Sequence, residues 1–296
     1  MMKIKLFYLM IFVLVLIIAA CGNELHSDLQ KYKREMKPIY KKENSILKDI
    51  DKLRLNQLDQ LIGTEVTVEK RKELNELQDK IDKQIIPEVK DLSKQAHNIN
   101  VSTNEVQDAH DIYMSNIEKK EKTLEELNEY ISLFKQSIQS NEKILDYTDV
   151  FEQNKSDAEK NAKLAKNNPD DKEDYDALVS VIDKNSEELS TKAKYLNDTQ
   201  NVQDRADYIE KNIIPLFSKN IKSLNQTNIS SKRVNQMRQA QIEVYYTLIN
   251  YYKERKKGIL IEDKLQKVQV QNGVSSQFSY LGKDEKYNKA IDRLDK

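Results

Sequence analysis

Apolar residues recur along this chain with the spacing of one helix face. Leu29, Tyr32, Met36, Ile39, Ile46, Ile50, Leu53 and Leu58 follow one another at steps mostly of three, four or seven, the stripe that a helix lays against a core. Ser27 with Gln30 three residues on resembles a capping box, so a first helix is expected over 27–61, stopped by Gly63-Thr64. Thr67 reads as the N-cap of a second helix, which carries Leu74, Leu77, Ile81, Ile85, Val89 and Leu92 to about residue 98. Pro87 lies inside it and should kink it.

Ser102 with Glu105 is a further capping box, and no Gly or Pro follows until Pro169. If unbroken, a helix over 102–166 would be about 98 Å long; the alternative is a fold-back near Ser137 to Asn141. Asn167-Asn168-Pro169-Asp170-Asp171 makes a loop. Three more helices are expected over 171–196, 200–226 with Pro215 inside, and 230–270. Residues 271–283, with Gly273, Gly282 and Ser275-Ser276, read as a linker whose Phe278, Tyr280 and Leu281 could tuck against the bundle. Residues 284–296 read as a short, mobile final helix.

Setting Pro87 on Pro215 and holding that register reveals an internal repeat. Residues 82–107 align without gaps on 210–235, and Lys83, Ile85, Ile86, Pro87, Lys94, Asn100, Ser102 and Val106 match Lys211, Ile213, Ile214, Pro215, Lys222, Asn228, Ser230 and Val234. A two-fold duplication of a helical unit is the economical account; convergent capping in lysine-rich helices is the alternative. Arg233 stands where the first copy has Glu105.

Composition narrows the class. Five Gly, four Pro and no Trp in 296 residues are too few turn formers for a sandwich, a barrel or a glycine-cradled nucleotide site. The fold class is therefore all-α: an elongated bundle of long amphipathic helices, coiled-coil or spectrin-like, with the two-fold repeat inside it.

The amino end stands apart. Lys3 and Lys5 precede an unbroken apolar run from Leu6 to Ala20, and Cys21 follows two alanines. The run is shorter than the ~20 residues of a spanning helix and has the layout of a signal peptide. Residues 1–20 are expected to be removed between Ala20 and Cys21. Cys21 would then carry diacylglycerol and an optional N-acyl chain, with no other cofactor, and residues 21–26 would form a lipidated tether on the extracytoplasmic face of the membrane. Cys21 is the sole cysteine, so no disulfide or thiol nucleophile is expected in the mature chain. The rest divides into a first helical unit over 27–137, a second over 138–270, and a linker with its short helix over 271–296.

Charge and chemistry are uninformative by comparison. The whole chain balances 49 basic against 49 acidic side chains, and loss of Lys3 and Lys5 leaves mixed signs with no footprint for nucleic acid and no polybasic membrane patch. His26, His97 and His110 are too scattered for a metal site and read as surface or bundle-edge residues. Asp170, Asp171 and Asp174 read as a solvated acidic loop. No nucleophile elbow or phosphate loop occurs, and no catalytic residue is assigned. The one concentration is aromatic: Tyr245, Tyr246, Tyr251 and Tyr252 fall within eight residues. Tyr245 and Tyr252 share a core stripe with Ile242, Ile249 and Ile259. Tyr246 and Tyr251 flank a face with Glu243, Thr247, Asn250 and Glu254, where phenol, amide and carboxylate could receive a sugar ring or could pack on a neighbouring helix. Tyr246, Tyr251, Glu243, Asn250 and Glu254 are the candidate ligand-binding set.

Cys21, the lysine-rich helices and Glu243-Val244-Tyr245-Tyr246 together resemble the staphylococcal lipoproteins named for a Glu-Met-Tyr-Tyr motif, which are similar to Gram-positive lipoproteins described as cell-wall-binding. Val244 departs from the motif's Met. The resemblance implies a cell-surface location and contact with the wall, and no catalytic residue. The expected function is a non-enzymatic, lipid-anchored surface protein that binds peptidoglycan or another wall polymer. The alternative is a helical adaptor or chaperone-like envelope protein that binds a partner protein.

Overall fold

The computed structural model describes residues 2–55, 58, 67–268 and 284–295, with side chains from residue 24 onward. Every regular element among them is helical. The helices are α1 (Met2–Lys52), α2 (Val68–Lys80), α3 (Ile86–His97), α4 (Asn104–Lys166), α5 (Lys172–Asp198), α6 (Val202–Tyr208), α7 (Ile214–Gln226), α8 (Lys232–Lys267) and α9 (Glu285–Leu294). The chain falls into two compact units, Met1–Ser132 with Val268–Lys296, and Leu133–Lys267. Of the two alternatives for residues 102–166, the structure shows one helix, α4, unbroken from Asn104 to Lys166, with no fold-back at Ser137 to Asn141.

Pro87 and Pro215 each sit just after a widened turn. The Ile86 backbone N–H donates to the Ile81 carbonyl five residues back, and that of Ile214 donates to Ile209. Proline lacks an N–H and its ring crowds the carbonyl four residues before it. A single π-turn, Ile81–Ile85 in the first unit and Ile209–Ile213 in the second, relieves both at once. Each turn ends two residues before its proline, in the register that aligns residues 82–107 with 210–235, so the sequence match extends to backbone geometry.

The helix starts differ from the capping boxes read in the sequence. At Ser27 α1 is already running from Met2, so no free N–H groups remain there to be capped. It ends at Lys52 rather than 61, and Arg54 takes a left-handed φ of 51° at the exit. Gly63 and Thr64 lie outside the described residues. Thr67 does cap α2, its hydroxyl accepting from the Lys70 N–H at 3.3 Å. The start of α4 is held from a distance: Asp28 Oδ2 accepts from the backbone N–H of Ser102 (3.0 Å), that of Thr103 (2.8 Å) and the Thr103 hydroxyl (2.8 Å). The second unit repeats the device. Asp174 Oδ2 accepts from the N–H of Ser230 (2.8 Å) and of Ser231 (2.6 Å) and from the Ser230 hydroxyl (3.0 Å). Ser231, not Ser230, caps α8 through Val234 N–H. Asp171 adds to the brace, accepting from Ser231 Oγ at 2.6 Å and Arg233 Nε at 2.8 Å. Asp171 and Asp174 are therefore not a solvated loop; of the three only Asp170 is exposed.

In the first unit Leu29, Tyr32, Met36, Leu74, Ile81, Ile85, Ile117, Leu124 and Leu127 are fully buried. In the second, Ala165, Leu178, Ile213, Phe217, Leu224, Val234 and Tyr245 form the core, with the Phe217 ring 5.9 Å from Tyr245 and 5.7 Å from Tyr252. The expected core stripe of α8 is found, with Tyr245, Ile249 and Ile259 buried. At Gly258 the packing is tight: a Cβ there would meet Ser140 Oγ at 3.3 Å. That hydroxyl donates to the Glu254 carbonyl, which lets α4 lie close against α8.

The final helix is not a mobile tail. Tyr287 on α9 is 4% exposed within the first unit, and Asp295 pairs with Lys33. The expected linker residues Phe278, Tyr280 and Leu281 lie outside the described residues, as do the side chains of Ala20 and Cys21. Among the described residues no helix is long and apolar enough to cross a membrane.

Candidate functional site

The first unit holds a buried polar network with no counterpart in its repeat. α1 supplies Tyr32, Tyr40 and Glu43, α4 supplies His110, Tyr113 and Lys120, and α9 closes the group with Asp284 at its N-cap and Tyr287. The Tyr32 and Tyr287 hydroxyls lie 3.0 Å apart, Tyr287 also bonds Tyr40, and Tyr32 reaches His110 Nδ1 at 3.3 Å. Tyr113 donates to Glu43 Oε2 at 2.9 Å. Lys120 donates to Glu43 Oε1 at 2.5 Å and to Asp284 Oδ2 at 3.0 Å. The rings meet edge to face, Tyr32 with His110 at 5.6 Å and Tyr40 with Tyr113 at 5.9 Å, the arrangement aromatic quadrupoles favour. In the register that sets Pro87 on Pro215, the second copy has Arg238, Gln241 and Leu248 in place of His110, Tyr113 and Lys120.

Electrostatics keep these phenols protonated. Burial pushes Tyr32, Tyr113 and Tyr287 far above the ordinary phenol value, and the Glu43 charge adds to the effect at Tyr113. Burial also lowers His110, against the pull of Asp111, so its imidazole is neutral near pH 7. One ammonium shared between two carboxylates offsets the cost of burying Glu43 and Lys120, each only 9% exposed. Beside the network a cleft of about 610 Å³ opens between α1, α4 and α9, lined by Tyr40, Glu43, Asn44, Tyr113, Tyr287 and Asn288 among others. The exposed amides of Asn44 and Asn288 can donate and accept hydrogen bonds without changing charge.

The tyrosine-rich face of α8 is divided by its packing. Glu243, Tyr246 and Asn250 are exposed, Tyr246 to 50%. Tyr251 is half-buried, its ring 5.3 Å from Tyr252 and edge-on to it. Glu254 is half-buried, and its carboxylate accepts from Lys257 at 3.2 Å. Thr247, expected on the open face, is buried and receives the Asn154 amide at 3.0 Å. The close approach of α4 at Gly258 takes up this side of α8, so the five candidates do not form one open surface. Of the histidines His26 and His97 are exposed as expected, whereas His110 belongs to the buried network.

Sequence reading missed that network because its members come from three separate helices. The one local signal is that His110 and Tyr113 stand three residues apart, with Ile117 and Lys120 completing the same helix face.

A chain of long helices, behind a basic and apolar leader that ends at Cys21, defines the class: an all-α lipoprotein. A family described as EMYY-motif containing lipoprotein matches residues 2–295, and the chain belongs to it. It is thereby a lipid-anchored envelope protein, tied to a membrane through lipid. Packing divides Glu243-Val244-Tyr245-Tyr246, the segment that resembles the motif: Val244 and Tyr245 are buried, Glu243 and Tyr246 exposed. No curated protein and no solved structure matches the chain.

Proposed function

We propose that the protein is a non-enzymatic binding protein of the extracytoplasmic membrane face, which holds a glycan of the cell wall in the cleft between α1, α4 and α9. The cleft is the observation that carries this reading. Its lining sets the half-buried Tyr40 with the exposed amides of Asn44 and Asn288, the pairing that suits a hydroxyl-rich ring with one apolar face. The titratable groups behind it favour binding over chemistry. Glu43, Lys120 and Asp284 satisfy one another, and phenols held protonated make poor bases at neutral pH.

Co-sedimentation with purified sacculi tests the reading. The lipidated chain in neutral detergent should pellet with sacculi in a saturable manner and stay in the supernatant without them. Failure to pellet at modest salt would dispose of wall binding.

A second reading, a helical adaptor for a partner protein, is favoured by one fact: this groove already accepts a helix, α9. Cross-linking in intact cells would then trap one defined protein rather than wall material.

A further inference from the structure

We infer that the second unit carries a separate site for a phosphodiester-linked anionic polymer, in a lysine-lined cleft on α8. The near-zero net charge of the chain hides this concentration. Lys253, Lys256, Lys257 and Lys264 line a cleft of about 400 Å³ together with Leu260 and Ile261, and Glu210 is its one carboxylate. At 100° per residue these positions of α8 fall on one face, while Arg255, next to them in sequence, points away from it.

Pairing within the cleft is incomplete. Lys256 donates to Glu210 at 3.2 Å and Lys257 to Glu254 at 3.2 Å. Lys253 and Lys264 are exposed and have no carboxylate within ion-pair distance among the described residues. They are eleven residues apart, about 16 Å along the helix axis, with Leu260 and Ile261 between them. Two charges that far apart, bridged by an apolar floor, match a chain of repeating anions separated by carbon segments better than a single small anion. An all-lysine set points to phosphate, which ammonium groups bind as point charges, whereas planar carboxylates are better matched by arginine forks. Concavity favours a strand-like polymer over a flat sheet of headgroups. Tyr246 lies seven residues before Lys253 on the same stripe, so the exposed tyrosine of the family motif stands at the head of the lysine row.

This site shares no residue with the cleft of the first unit and stands or falls separately. The test uses the lipidated chain in neutral detergent, titrated with polyglycerol phosphate at 50 mM NaCl. Saturable binding is expected, weakened more than tenfold by Lys253→Gln with Lys264→Gln and more than tenfold at 300 mM NaCl. Polyglutamate of equal charge should bind at least tenfold more weakly. Absence of wild-type binding, an unchanged double variant or equal affinity for polyglutamate would overturn the inference. Displacement of the polymer by phosphatidylglycerol added to the micelles would overturn it in favour of a lipid site. Both lysines are exposed and unpaired, so the double variant folds, which circular dichroism verifies.

Discussion

The carboxylate of Asp28 accepts the backbone N–H of Thr103 at 2.8 Å, across 75 residues of chain. It thereby caps a helix to which it does not belong and ties α1 to the start of α4. Asp28→Ala should lower stability by about 1–2 kcal/mol, the usual worth of an N-cap, read as a shift in the urea midpoint with unchanged slope. An unshifted midpoint would show that water replaces the carboxylate at no cost.

The same carboxylate sets an acid limit. Burial alone would raise Asp28, but the N–H groups of Thr103 and Ser102 and the Thr103 hydroxyl outweigh it and hold the carboxyl below its ordinary 3.8. Asp171 and Asp174 are lowered too, chiefly by hydrogen bonds from Ser231. A lowered carboxyl stabilises the fold above its unfolded value and loses that contribution as pH falls through the folded one. The melting-temperature gap between wild type and Asp28→Asn should thus be constant from pH 7 to about 5 and close below about 4. A gap that is flat down to pH 3 would contradict the assignment.

The phenols set an alkaline limit. With no Trp and fifteen Tyr in the chain, absorbance at 295 nm follows phenolate alone. Tyr32, Tyr40, Tyr113, Tyr208, Tyr245, Tyr252 and Tyr287 are all raised, in each case mainly by burial. Their contribution is intact below pH 10 and lost above it. The titration should show a first wave from exposed phenols and a second that coincides with loss of helical signal. Tyr287→Phe, which removes the hydroxyl between Tyr32 and Tyr40, should destabilise by about 1–3 kcal/mol and bring the second wave to lower pH. One smooth wave near pH 10 would contradict the buried network.

In the second unit Asn220 is fully buried and neither polar atom of its amide has a partner. Its equivalent in the first copy is Leu92, a buried core residue. Asn220→Leu should therefore raise stability by about 1–2 kcal/mol, by removing an unmet hydrogen-bonding demand. A drop in the unfolding midpoint would mean that the amide has a role in the native state.

What could be read from the chain was local. Periodicity placed most of the helices to within a few residues because each buries a continuous stripe, but not α1, which runs over Met2–Lys52 rather than 27–61; Pro87 and Pro215 pointed to the repeat because proline constrains its own backbone. What eluded reading was long-range. Ser27 and Ser102 have the residue types of caps, but α1 was already helical at the first, and Asp28 serves the N–H groups near the second. Asp171 and Asp174 looked like loop acids until Ser230 and Ser231 came within reach. Tyr246, Thr247, Tyr251 and Glu254 shared one open face on a helical wheel, and only the approach of α4 at Gly258 separated Thr247, Tyr251 and Glu254 from Tyr246. The cleft needed α9, whose place against α1 and α4 is invisible to spacing.

The most direct trial of the account is a binding isotherm of the lipidated chain with sacculi, for wild type, for Asn44→Ala with Asn288→Ala, and for Tyr246→Ala. Both asparagines are exposed, so their loss should leave the fold intact. The expected result is saturable wild-type binding, weakened at least tenfold by the asparagine pair and little changed by Tyr246→Ala. Binding that is absent, or indifferent to Asn44 and Asn288, would contradict the assignment of the cleft as a wall-glycan site.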